Sequence, residues 1–158
     1  MPGQGGRQAK GKKRAALAMI LAALTLVSCG GSEEAATPLT KAQFIKQGNA
    51  ICRKNLKENE KALGAAVEQL AAKKIDPSSQ KGAEELAAAA IPPMSDLTQR
   101  MADLSPPSKD EAVVNQMVEQ FESGVEEMEE DPRAAIKSNS FQGAGETARE
   151  FGLTACTI

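Results

Sequence analysis

Tryptophan, tyrosine and histidine are absent from this chain of 158 residues, and phenylalanine occurs only four times. Without aromatic bulk, a core has to be aliphatic and rich in alanine. Without histidine there is no imidazole to serve as a general base near neutral pH, and no nitrogen ligand to complete a zinc site beside so few cysteines. A glycine-rich phosphate loop and a serine in a nucleophile-elbow pattern are missing too. Carboxylates are plentiful, but on exposed helix faces they are not tuned for paired acid and base work. The expectation is a protein that is not an enzyme and takes no metal or cofactor. Alternating β-branched or aromatic runs are also missing, which argues against strands.

Long apolar runs are scarce. The one at Ala15 to Val27 would extend only about 20 Å as a helix, too short for a hydrocarbon layer of about 30 Å. It follows Arg7, Lys10, Lys12, Lys13 and Arg14 and ends in Leu26-Val27-Ser28-Cys29. A basic head, a short apolar body and a small residue before a cut form a secretory signal, here residues 1–28. With cysteine directly after the small residue, the segment resembles a bacterial lipoprotein signal. The resemblance implies that the Cys29 thiol receives a diacylglycerol unit and that signal peptidase II cuts between Ser28 and Cys29. The mature chain is then lipid-anchored on the outer face of the cell membrane.

The signal segment holds five of the nineteen basic residues and none of the twenty-one acidic ones, so the mature chain has 14 bases against 21 acids, a net charge of −7. That balance argues against nucleic acid as a partner. Residues 29–40, rich in glycine, small and polar side chains, read as a flexible tether, and residues 41–158 as one domain. Once Cys29 carries lipid, Cys52 and Cys156 remain in an oxidising compartment, which favours a disulfide. Two buried free thiols are the alternative. The bridge would close a loop of 104 residues, for which chain entropy gives at most about 4.7 kcal/mol.

Four amphipathic helices are expected, packed as an all-α, up-down-up-down bundle. The first spans about 41–74, with a Thr40–Gln43 capping box and Phe44, Gly48, Ile51, Cys52, Leu56, Leu63, Ala66 and Leu70 on its apolar face. The second spans about 79–104, where Pro92-Pro93 predicts a kink or break. The third starts from a Ser108–Glu111 capping box and buries Val114, Met117, Phe121, Val125 and Met128. Asp131-Pro132 starts the last, with Ala134, Phe141, Ala148 and Phe151 on its inner face, a break at Ser138-Asn139-Ser140 and Gly152 as C-cap. In such a bundle the end of the last helix returns to the first, which brings Cys156 toward Cys52.

Three polar constellations stand out. Glu119, Glu122, Glu126 and Glu130 form one stripe of the third helix, a candidate interaction face for a basic envelope or cell-wall partner, or a solvated surface. Lys46, Arg53, Lys57 and Lys61 form a stripe on the first helix, a candidate membrane-facing surface, or again a solvated one. Asn55 and Asn59 fall on the apolar side of that helix, either as a hydrogen-bonded pair fixing register or as part of a ligand cavity. The first functional expectation is a non-enzymatic lipoprotein presenting a helical surface to an envelope partner. The second is a membrane-tethered protein binding a small ligand between its helices.

Lys41-Ala42-Gln43-Phe44-Ile45, Ala50-Ile51-Cys52, the Pro-Pro turn before the third helix and Phe151-Gly152-Leu153 with Cys156 together resemble small exported actinobacterial lipoproteins of unknown function. That resemblance implies a disulfide and no known activity. Because the lipid reaction uses the Cys29 thiol, Cys29→Ser is expected to leave an uncleaved or soluble precursor. Detergent partitioning and processing like those of the wild type would refute the lipoprotein reading.

Overall fold

The computed structural model describes residues 37–156. The signal segment, Ser28, Cys29 and the tether up to residue 36 lie outside the described residues. Five α-helices and a closing 3-10 turn account for the domain: α1 Lys41–Lys73, α2 Gln80–Ala102, α3 Glu111–Glu130, α4 Pro132–Ser138, α5 Gln142–Phe151 and η1 Thr154–Cys156. No strand occurs among the described residues.

The Thr40 side chain accepts from the Gln43 amide while the Gln43 side chain accepts from the Thr40 amide, so α1 starts on its capping box. One residue earlier, the Leu39 amide donates to the Ser105 carbonyl at 3.2 Å. The chain is thus fixed to the body of the domain just before α1. Lys74, in a left-handed conformation with φ 56°, ends α1, and the Ile75 amide reaches back to the Leu70 carbonyl at 2.9 Å, satisfying an otherwise orphaned acceptor. In the turn that follows, the Asp76 carboxylate accepts from the Ser78 amide and hydroxyl, both at 2.8 Å. These bonds hold the exposed Asp76 carboxyl below the usual carboxylate range. Its small contribution to the fold is present above its unfolded pKa and lost as pH falls through the depressed folded value. Ser79 then caps α2 by accepting from the Gly82 amide. A β-carbon on Gly82 would sit 2.2 Å from the Asp76 carbonyl oxygen, so only glycine lets this turn lie against the start of α2.

Of the kink or break expected at Pro92-Pro93, the break does not occur: α2 continues through both prolines. The carbonyls that lose their helical donors belong to Ala88 and Ala89, exposed and half-exposed respectively, where water can reach them. The apolar side of the same helix is buried from Ala83 to Met101, and that burial offsets the lost bonds. The Ser108–Glu111 capping box also does not form. Asp110 occupies the N-cap position with no side-chain cap, because its carboxylate turns instead to the Lys41 ammonium at 3.3 Å. Leu56, expected on the inner face of α1, is 44% exposed. On α4 the buried residue is Ala135 and Ala134 is exposed.

Ion pairs fix the directions of the helices. Lys73 near the end of α1 meets Glu85 near the start of α2 at 3.1 Å, so these two run antiparallel. Lys41 at the start of α1 meets Asp110 just before α3. The expected break at Ser138-Asn139-Ser140 divides the C-terminal stretch into two helices, so five helices are described where four were expected. Asp131 caps α4 with its carboxylate on the Ala134 amide at 3.0 Å, and Asn139, with φ 53°, ends it in a left-handed conformation. Asparagine tolerates that conformation better than other non-glycine residues. After this break α5 restarts and packs along α3.

The core runs through the Phe44–Phe151 edge-to-face pair, centroids 5.7 Å apart, the Phe121–Phe141 pair, and Met94, Leu97, Met101 and Met117, all nearly inaccessible. Cys52 and Cys156 lie at disulfide distance, with sulfurs 1.88 Å and α-carbons 5.0 Å apart. Reduction of this pair is expected to lower the thermal midpoint by about 10 °C, given several kcal/mol from closing so long a loop. Calorimetry with and without reductant checks this; an unchanged midpoint would show that the loop closure contributes nothing.

Candidate functional site

The break in the last arm shapes the surroundings of α1. Among the described elements, α4 packs against α2 and α3 and α5 along α3, and the chain returns to α1 through Phe151 at the end of α5 and through η1. The N-terminal half of α1 is therefore covered, while its C-terminal half has α2 on one side and no close neighbour on the other. A groove of about 330 Å³ lies there. Asn59, Leu63 and Val67 of α1 form one wall and Leu86, Ala87, Ala90 and Met94 of α2 the floor. Met128, Ile136 and Phe141 close the far side. Val67 and Ile136, 47% and 48% exposed, are its lips. Every lining side chain is apolar except Asn59. Among the described residues, no helix is long and apolar enough to cross a membrane.

The two asparagines do not pair with each other. Asn55 is buried, and its side-chain amide donates to the Pro93 carbonyl. It thereby holds α1 to α2 where the prolines interrupt the backbone bonds. Asn59, one turn on, is half-buried, and its buried Oδ1 has no hydrogen-bond partner. It stands between the groove and a void of about 20 Å³ beneath Cys52 and Cys156. Of the two readings for these residues, register applies to Asn55 through a backbone carbonyl, and cavity lining applies to Asn59.

The charged stripes are segregated as the helical periodicity places them. Glu119, Glu122, Glu126 and Glu130 are all exposed on α3. Glu122 and Glu126 border a depression of about 260 Å³ with Ser95, Thr98 and Gln99 of α2. Lys46, Arg53, Lys57 and Lys61 are all exposed on α1, and none of the four makes an ion pair among the described residues. The two stripes belong to helices whose backbones do not approach closely.

Sequence reasoning missed three contributors, Asn49, Val67 and Ile136. Asn49 fastens the C-terminal turn to α1: its Nδ2 donates to the Gly152 carbonyl at 3.3 Å and its Oδ1 accepts from the Ala155 amide at 2.8 Å. Its position one residue after Gly48 on the apolar face was the available signal. Beside it, a β-carbon on Gly48 would lie 2.6 Å from Leu153 Cδ2, so the glycine makes room for the returning chain. Ile136 was missed because a single isoleucine between Ala135 and Lys137 shows no period in so short a helix.

Comparison with protein-family models, with curated proteins and with solved structures gives no match. The site is therefore read from its own geometry. The asparagines supply a sharp contrast. Asn55→Leu is expected to destabilise the domain by about 1 kcal/mol, since it removes a buried hydrogen bond between α1 and α2 and forces a larger apolar side chain into its place. Asn59→Leu is expected to be neutral or stabilising, because it replaces an unpartnered buried acceptor with carbon. Denaturant melts of both variants check the signs; equal losses would refute the distinction.

Proposed function

We propose that this chain is a membrane-anchored extracytoplasmic lipoprotein that binds a single alkyl chain in the groove beside α1, without catalysing a reaction. One observation carries the reading. A groove of about 330 Å³ lies within the roughly 300–1,000 Å³ of small-ligand sites, and an apolar lining with one polar group is the usual composition of such sites. The lining is aliphatic apart from Phe141, which suits an alkyl chain better than a stacked aromatic ring. Met94 and Met128 can adapt to chains of different length. Asn59 Oδ1, buried without a partner, offers an acceptor for a donor on the ligand. In this reading α4 and α5 are two halves of the fourth arm of an up-down-up-down bundle, and the break between them makes the site. The other reading, a helical surface docking an envelope protein or cell-wall component, rests on the acidic stripe of α3 and needs no groove.

Dansyl-labelled undecanoate is expected to bind the lipid-free domain at one site with a rise in fluorescence, and decanol is expected to displace it. Ile136→Asp, a change at an exposed lip, is expected to weaken binding on the order of tenfold by placing a charge against the apolar ligand. Titration without saturable binding, or binding unaffected by Ile136→Asp, would refute the groove as the site.

A further inference from the structure

Helix α1 carries seven bases and three acids, a net charge of +4, while α3 carries seven acids and no base. In a mature chain of net charge −7, α1 thus carries half of the fourteen bases, while α3, whose backbone does not approach it closely, carries acids alone. Lys46, Arg53, Lys57 and Lys61 stand exposed on α1 without ion pairs among the described residues. Glu60 and Glu68 share that side of the helix and leave it an excess of bases. At about 100° per residue, Leu56 and Val67 fall beside each other about a quarter-turn from the basic stripe. They are 44% and 47% exposed, and Val67 is also a lip of the groove. One helix therefore shows an apolar edge next to a basic face, the arrangement of a helix lying in a membrane interface.

From these placements we infer that α1 lies along an anionic bilayer, its bases among the head groups and its Leu56–Val67 edge dipping into the surface. The inference rests on the lipoprotein and groove readings above and adds to them the source of the ligand. With Val67 at the bilayer, the groove mouth opens onto the membrane, and the alkyl chain enters from a membrane lipid without crossing water. Eleven residues lie between Cys29 and Lys41, a reach of at most about 40 Å. A lipid on Cys29 holds the start of α1 within that distance of the surface, and a helix of 33 residues offers about 50 Å of length to lie along it. The acids of α3 then face away from the anionic surface, as charge complementarity requires.

Residues 37–156 share one packed core, so the chain from residue 30 carries the whole fold and tests docking without its lipid. It is expected to bind vesicles of phosphatidylglycerol and phosphatidylcholine at low salt, to bind pure phosphatidylcholine vesicles far more weakly, and to be released by added salt. Replacing Lys46, Arg53, Lys57 and Lys61 by Gln is expected to weaken binding about fivefold per base, on the order of a hundredfold or more in all. Glu119, Glu122, Glu126 and Glu130 replaced by Gln is expected to leave binding equal or stronger. Because the chain has no tryptophan, Leu56→Trp, Val67→Trp and Glu126→Trp each introduce a unique fluorophore. Brominated lipids are expected to quench the first two and spare the third. Absence of vesicle binding at low salt, wild-type binding by the Gln variant, or equal quenching of the Glu126→Trp variant would each overturn the inference. Dansyl-undecanoate binding tests the groove separately: a domain that binds the probe but not vesicles keeps the groove and loses the docking, and the reverse result keeps the docking and loses the groove.

Discussion

Everything in this domain depends on how the end of the chain is returned to α1. Cys156 meets Cys52, Asn49 grips the Gly152 carbonyl and the Ala155 amide, Leu153 fills the space left by Gly48, and Phe151 stands edge-on to Phe44. Lys41 adds a cation over the Phe151 ring, 4.2 Å from its centre. These contacts all fall on the first half of α1. The last arm is too short, and broken at Asn139, to cover the second half as well. Its first piece, α4, packs on α2 and α3 instead. The groove is the geometric remainder: closure at one end of α1 leaves α1 and α4 apart at the other.

A core with so little aromatic mass needs its few large side chains in the right places. All four phenylalanines are buried, and they form two pairs, one at each end of α5. Methionines Met94, Met101, Met117 and Met128 fill the rest together with alanines of α2. Alanine allows α1 and α2 to approach closely, and methionine adapts to the irregular spaces that result. The same composition that makes the core lines the groove, so filled core and open site grade into each other along α2 at Ala87, Ala90 and Met94.

Charge contributes little to holding this fold together. The ion pairs are mostly exposed and each worth at most about 1 kcal/mol. The bases of α1 and the acids of α3 stand on helices whose backbones do not approach closely, and in the proposed reading a lipid anchor upstream of α1 would set which of them meets the membrane.

The pairing of Cys52 with Cys156 was legible in the sequence from the cysteine count. Helix content and most boundaries were legible because each rests on local chemistry: the Thr40–Gln43 box, the Asp131-Pro132 start, the Gly152 cap and a period of three and four residues. The segregation of charge was legible for the same reason, since a stripe is a property of one helix. Local rules misjudged three sites where a distant partner intervened or water relieved the cost. Asp110 displaced the Ser108 box because Lys41 was in reach, α2 ran through two prolines because the freed carbonyls faced solvent, and Asn55 turned to Pro93 rather than to Asn59. The groove was invisible for a deeper reason. It is lined by residues spread from Asn59 to Phe141 and exists because a broken arm packs to one side of α1, so no local pattern encodes it. What a helix looks like was decided by its own residues; which of its faces stays uncovered was decided only when the whole chain packed.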